Sequence, residues 1–537
     1  MVLCPYDPYV LTVFNILNMK LNYEALRQAQ ACYAALERFR RDRERNKRYN
    51  YGDQWSDIIQ VDGRSVTEEE YIKEQGSVPL KNNLIRRLVR NVIGVYSSQG
   101  AHPVCEAVNV IDRAAAEDAT LALERNAQLN RLEALYVRTL EEFLIGGLIV
   151  HKKWYGHRQC GGAAPGATHR PTLPCTDYVH PHNFFIDANM RDFRAWDCRC
   201  IGEVHDVDFP TLCAQFARSG ADCQQLAAIY GRTLGSDGGT DSFDDFGFSP
   251  DFSSGFLTPR NPGMCRVIEL WRKELIQLYR CHDPLTGRVF RIRAADYPKM
   301  VEAVNAQRSH SPISAQWLMQ ERWRYYFLAP TGHVLAQGES PYAHGAHPYV
   351  VKAYPLIDGE IHAFVGDVID QQRYTNRLIT MYDWIVRSSA KGVLLVPEDC
   401  VPRGVNPRDF ADAWSRFNGV LVYKPSARGD APRQVSGNAA NVGITELLNL
   451  QLKFFEEISG VNGALEGRLA NSAMSAELFD QQTQNATMAL LDLLNTFYEF
   501  MRDAAQKDLS LLQQYGHLPA ASLSIKIEKR KRENVST

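Results

Sequence analysis

The residues whose types best suit metal chemistry are Cys198 and Cys200, which flank Arg199 on a predicted strand, with His205 and Cys213 as the nearest further donors. Alternation along a strand puts side chains two apart on one face, and a structural zinc needs four thiolate or imidazole donors within reach. The 12 cysteines otherwise show no C-x-x-C pair and no repeating spacing, so scattered buried thiols are expected rather than a metal centre. His344 and His347 stand three apart in a loop marked by Gly345 and Pro348, with no third donor nearby in sequence. The aspartates Asp237, Asp241, Asp244, Asp245 and Asp251 do not follow the calcium-loop spacing. Paired carboxylates occur at Asp244-Asp245 and Glu456-Glu457. Neighbours on a helix face different ways, so neither pair makes an acid/base site by itself.

The motif search excludes more than it suggests. There is no phosphate loop G-x-x-x-x-G-K-[ST], and hence no sign of a packaging ATPase. H-E-x-x-H, G-x-S-x-G and G-x-G-x-x-G are missing as well. Neither an enzyme activity nor a cofactor is expected.

Charge points the same way. The 537 residues carry 60 basic and 62 acidic side chains, for a formal net charge of -2. Static DNA binders usually hold a basic surplus, because phosphate contacts supply most of their non-specific affinity. Two local exceptions are Arg38–Arg48 and the tail Lys526–Arg532, in which Lys529, Arg530, Lys531 and Arg532 run together. No run approaches the roughly 18 apolar residues of a membrane span, and no basic region precedes the short apolar stretch Val10–Leu17. The reading is a soluble protein without a membrane partner.

The elements that would position these residues are mixed. Periodicity predicts helices over Tyr23–Arg48, Asn82–Ser98 and Ala114–Leu144, the last stopping at Gly146-Gly147. Leu148–Trp154 and Thr176–Asp187 read as strands, and Phe209–Ala217 and Ala221–Tyr230 as short helices. A Gly-, Ser- and Asp-rich stretch, 231–263, reads as an acidic loop. Cys265–Tyr354 is mostly β, with a helix inserted at Asp296–Gln307. From Phe364 to Ala390 runs a helix without Pro and without Gly after Gly366, about 40 Å long at 1.5 Å per residue. Its apolar stripe includes Val368, Ile369, Leu378, Ile379, Tyr382 and Ile385; Arg373, Arg377, Arg387 and Lys391 lie between. Helices Val442–Ser459 and Met474–Leu512 close the chain. The fold class is α+β.

The order of pieces resembles portal proteins of tailed bacteriophages, nearest to the short-tailed-phage type. The resemblance rests on Arg45–Trp55, Asn82-Asn83-Leu84-Ile85, Gly94-Val95-Tyr96 and Val179-His180-Pro181 with Phe184-Phe185-Ile186-Asp187. It continues in Pro348–Val351, in Gly366-Asp367 with Gln371–Asn376, and in Ser459–Asn462 with Gly467, Ser475 and Gln481–Gln484.

The resemblance implies a portal-type fold assembled as a dodecameric ring at one capsid vertex, with clip, stem, wing and crown. Residues 1–230 would form the N-terminal helical and wing region, 231–263 a flexible acidic loop, and 264–362 the β-rich stem and clip. Residues 363–392 would be the stem helix, 393–473 the wing and tunnel loop, and 474–537 the way to the crown. Implied partners are copies of the chain, double-stranded DNA, the terminase large subunit, head-completion and tail proteins, and major capsid and scaffolding proteins. The chain would be made in the host cytoplasm and end in the virion. Arg373, Arg377, Arg387 and Lys391 become candidates for the DNA channel or for inter-subunit ion pairs. Val368, Ile369, Leu378, Ile379, Tyr382 and Ile385 become candidates for the oligomer interface. Another head–tail adaptor, a minor capsid protein, or a metal-dependent nucleic-acid enzyme gripping through the basic segments are the alternatives.

Overall fold

The computed structural model describes residues 20–157, 172–192, 194–234, 255–308, 311–356, 359–391, 393–395, 433–435, 443–461, 490–516, 518–519 and 521–529, with single positions at 397, 406 and 488. Helix and strand are mixed along the chain, as an α+β class requires. The chain divides into two compact units, residues 1–44, 93–363 and 491–537 in one, and 45–92 with 364–490 in the other.

The first unit is built on a six-stranded antiparallel sheet. Strands β6 (Phe184–Ile186), β7 (Cys200–Val207), β8 (Cys265–His282), β10 (Ser314–Leu328) and β11 (Val334–Glu339) lie in the order 11-10-8-7-6, and β9 (Val289–Arg293) pairs with β8. The opening of the block expected to be mostly β is thus one strand of 18 residues. Its register against β10 is continuous from Ile268↔Leu328 to His282↔Ser314. Alternation along β7 and β8 splits the core into two layers. Phe185, Cys200, Ile268 and Leu270 pack against Ala25, Leu26, Ala29 and Tyr33 of α1 (Tyr23–Ala35). Phe184, Ile201, Val267 and Trp271 face Val150 and Tyr349 of a second sheet. That sheet holds β12 (Tyr349–Ala353), β4 (Leu148–His157) and β5 (Thr172–Tyr178). The tail strand β15 (Leu523–Lys529) pairs with β3 (Ala101–Ala107). Lys529 closes it, its ammonium 5.1 Å over the Tyr498 ring, while Arg530, Lys531 and Arg532 lie outside the described residues.

Two predicted helices are each two helices. The first breaks at Leu36, after which α2 runs from Glu37 to Tyr51. The Tyr33 carbonyl there accepts from Leu36 N–H and from the Arg40 guanidinium, which folds back over the Tyr33 ring. A side chain that captures a helix carbonyl bends the helix at that point. The third breaks between α5 (Arg113–Asn130) and α6 (Leu132–Gly146), where Arg131 takes a left-handed backbone, φ 52°. Asn130 Nδ2 donates to Asn126 one turn back and also to Pro174 O of β5 at 2.9 Å, a tertiary contact that periodicity does not report. The predicted stop at Gly147 holds: φ is 77°, and a Cβ there would meet Ile361 Cγ2 at 2.9 Å. The insertion expected at Asp296–Gln307 is a π-helical turn, Pro298–Glu302, running into α9 (Ala303–Gln307).

Three lysines buried on β4 and β12 tie the second sheet to its neighbours. Lys152 points at the six-stranded sheet, its ammonium 2.9 Å from Glu203 Oε1 and 2.5 Å from Glu269 Oε2. His205 Nε2 lies 2.9 Å from Glu269, and Tyr349 OH and Trp271 Nε1 donate to Glu203 and Glu269. Burial pushes the Glu269 carboxyl up, but Lys152 and His205 outweigh it and hold the group well below the usual range. Lys153, on the other face of β4, meets Asp508 of α12 (Leu491–Tyr515) at 2.7 Å. Lys352 of β12 reaches Glu499 of the same helix at 3.0 Å. Removing one partner from a buried pair strands the other charge in low dielectric, so Lys152→Met is expected to cost about 3–5 kcal/mol of stability. Urea unfolding checks this, and changing Glu203 and Glu269 to Gln in the same chain should restore part of the loss.

Candidate functional site on the long helix

The second unit brings together three of the sequence segments singled out above. Its long helix opens with a 3-10 turn, Phe364–Val368, and continues as α10, Ile369–Lys391. At about 1.5 Å per residue the 23 residues of α10 span roughly 35 Å. The segment Leu80–Ile85, which leads into α4 (Leu84–Gln99), lies along its first half.

Gln372, Asn376 and Thr380 are spaced by four and so share one helix face. Gln372 Oε1 accepts from the backbone N–H of Leu84 at 2.8 Å and of Ile85 at 3.3 Å, while its Nε2 donates to Asn82 O at 2.7 Å. Asn376 Oδ1 accepts from Asn82 N–H and its Nδ2 donates to Gln54 Oε1. Thr380 Oγ1 accepts from Leu80 N–H at 3.0 Å. The first amides of a helix have no partner within it. Here Gln372 satisfies those of Leu84 and Ile85, and Asn83 caps Arg86 N–H. Gln372, Asn376 and Thr380 are buried, so these bonds are shielded from competing water. Trp55 Nε1 donates to Leu80 O, and Asn83 Nδ2 to Asn50 O, which joins the turn after α2 to the same strap.

An ion-pair layer lies beside this ladder. Glu68, buried at the start of α3 (Glu68–Glu74), accepts from both Arg373 and Arg377, the latter at 2.7 Å. Asp57 accepts from Tyr49 OH at 2.9 Å, Arg45 at 3.2 Å and Arg48 at 3.0 Å. Burial raises the Asp57 carboxyl, yet the Tyr49 hydrogen bond and the charges of Arg45, Arg48 and Arg373 prevail and hold it below its usual value.

The candidate interface residues separate into two groups. Val368, Ile369 and Leu378 are buried within the subunit itself, and Ile379 and Ile385 are half-buried. A residue covered by its own chain is not available to a neighbour, so the first three are core positions of this unit. Helix α11 (Ile444–Ser459) packs on α10 here. Tyr382 is exposed. Met381, Trp384 and Val386, absent from the candidate set, are also about half exposed, so the helix presents large apolar side chains past Thr380. Arg373 and Arg377 are committed to Glu68, while the side chains of Arg387 and Lys391 lie outside the described residues.

The zinc candidates do not converge. Cys198 and Cys200 belong to different core layers rather than one strand face, because Cys198 precedes β7 in a turn. His205 is bound to Glu269. Glu203, His205 and Glu269 form a three-donor group among the described residues, but the Lys152 ammonium already bridges its two carboxylates, and a divalent cation would have to displace it.

A family model of phage P22-like portal proteins matches residues 26–526. The chain belongs to that family. Portal proteins of this kind are virion components of the head–tail connector that serve genome packaging, and the family is structural rather than enzymatic. No individual curated protein matches the chain. The matched span covers nearly all described parts of both units of this portal chain, including the ladder on α10. No described helix is long and apolar enough to cross a membrane.

Gln372→Leu leaves the Ile85 amide without its partner and takes one hydrogen bond each from Leu84 N–H and Asn82 O, which still bond each other at 3.0 Å, an expected loss of about 1–3 kcal/mol in denaturant unfolding. The Asp57 contribution has a defined sign. A depressed folded pKa stabilises above the unfolded value near ~4 and is lost as pH falls through the folded one. Asp57→Asn should therefore flatten the acid limb of the stability–pH curve below about pH 4.

Proposed function

We propose that this portal chain assembles into a closed ring of identical subunits, twelve in number, at one vertex of the capsid, and that double-stranded DNA enters and leaves through its centre. The family match over 26–526 carries the reading. The terminase large subunit would dock on the ring during packaging and head-completion or tail proteins afterwards, with major capsid and scaffolding proteins as assembly partners. In this reading residues 363–392 are the stem, 264–362 contain the clip, and the chain beyond 474 leads to the crown.

The character of α10 supports it. The first half of the helix is satisfied by its own unit, whereas Met381, Tyr382, Trp384 and Val386 beyond it are 46–51% exposed. Large apolar groups clustered at a surface favour a protein partner. In a cyclic assembly each subunit offers a neighbour on either side through one heterologous interface. Near-neutral net charge suits a conduit, because stacked circles of inward-facing cations would grip DNA too strongly to let it move.

Native mass measurement and negative-stain imaging of the purified chain are the test. A twelve-subunit ring with a central hole is expected, and Trp384→Glu should weaken assembly by at least about tenfold in concentration. A protein that stays a monomer at assembly concentrations would contradict the proposal.

A further inference from the structure

Within the first unit, the turn at Arg194–Trp196, the loop before β12 and helix α12 enclose a cavity of about 420 Å3. Its walls are basic. Lys273 of β8, His344 and His347 of the loop, and Lys507 of α12 all face it, with Arg194 at the rim. Among the described residues Asp503 is the only carboxylate in the lining, and it lies 3.6 Å from both Lys352 and Arg502. Among the described residues no carboxylate is within ion-pair distance of Lys273 or Lys507. The lining therefore carries a positive balance, its one carboxylate already shared with Lys352 and Arg502, and an anion would offset it.

The polar atoms fit that demand. Lys507 is anchored by donating to His347 O at 2.6 Å and Tyr349 O at 2.5 Å. Lys273 donates to Trp196 O at 3.1 Å and stands 5.3 Å over the Trp323 ring. His347 Nδ1 is buried without any hydrogen-bond partner. His344 Nδ1 accepts from Ala346 N–H at 3.0 Å, which leaves the proton of the neutral ring on Nε2 as a donor. Trp196, 69% exposed at the mouth, carries the Arg194 guanidinium 3.8 Å from its ring and offers a plane for stacking.

We propose that this cavity binds a small phosphate-bearing anion. Its volume is that of a small-molecule pocket rather than of a duplex groove. Inorganic phosphate and a mononucleotide share the chemistry, and Trp196 favours the nucleotide because every base has a face to stack. Binding is coupled to protons. Lys507 is brought down to about 7, chiefly by burial and also by Lys153, against the opposing pull of Asp503 and Cys198. His344 and His347 are lowered first by burial and then by Lys507, with Lys273 adding to the fall at His347. An anion favours the protonated form of each, so affinity falls as pH rises.

The test titrates the full-length protein with inorganic phosphate, with dAMP and with a short DNA duplex, read by calorimetry and tryptophan fluorescence. Saturable binding of phosphate or dAMP is expected in the millimolar range or tighter, with about tenfold weaker affinity near pH 9 than near pH 7, although phosphate itself gains negative charge over that range. Lys273→Met and His344→Phe, each with an unchanged circular dichroism spectrum, should weaken binding about tenfold. Tighter binding of dAMP than of phosphate identifies a nucleotide, and equal binding identifies phosphate itself. Absence of saturable binding by both small anions, binding of the duplex alone, or indifference to both substitutions would overturn the proposal.

Discussion

The arrangement of the second unit depends on a row of three side chains, Gln372, Asn376 and Thr380, that supplies hydrogen bonds to the backbone of the strap Leu80–Ile85. Residues almost three hundred positions apart are held in one geometry by buried hydrogen bonds between side chain and backbone. An amide side chain that serves two backbone N–H groups and one carbonyl fixes its own rotamer, and through it the rotation of the helix about its axis. Glu68 then holds Arg373 and Arg377 on an adjacent strip of α10. With the first half of the helix fixed in this way, the apolar groups past Thr380 are presented in a defined direction. That suits a subunit whose partners are copies of itself.

The first unit solves a different problem with the same currency. Two sheets and α12 meet around Lys152, Lys153 and Lys352, each paired with a carboxylate across the junction. Such pairs add little stability over an apolar contact of equal shape, but they penalise any register in which a charge is left alone. Lys507 and Lys273 break the pattern, since neither has a carboxylate at ion-pair distance among the described residues.

Much of this was legible in the sequence, and what was not has physical reasons. The strand-rich block from Cys265 to Tyr354, the stop at Gly146-Gly147 and the long helix after Gly366 follow from alternation, glycine and period. The breaks at Leu36 and Arg131 do not, because each is imposed by a contact far along the chain or by a side chain turning back on a carbonyl. The apolar stripe of the long helix was visible, but periodicity does not distinguish residues buried within the unit from residues left exposed. Val368, Ile369 and Leu378 therefore read like Tyr382, although they are buried and it is exposed. Nor does spacing show that Arg373 and Arg377 would both find Glu68, a partner some three hundred residues upstream. The ladder itself had a signal, the polar run Gln371-Gln372-Arg373 with Asn376 inside an apolar helix. Its role needed the strap to be placed beside it.

The central claim is that α10 is anchored by its own subunit up to Thr380 and completed by another beyond it. Hydroxyl-radical footprinting of the assembled and the dissociated protein tests this directly. Met381, Tyr382 and Trp384 should be protected on assembly, while the buried Phe497, a core position of the other unit, reacts slowly in both states. Equal reactivity of the three residues in both states would contradict the account.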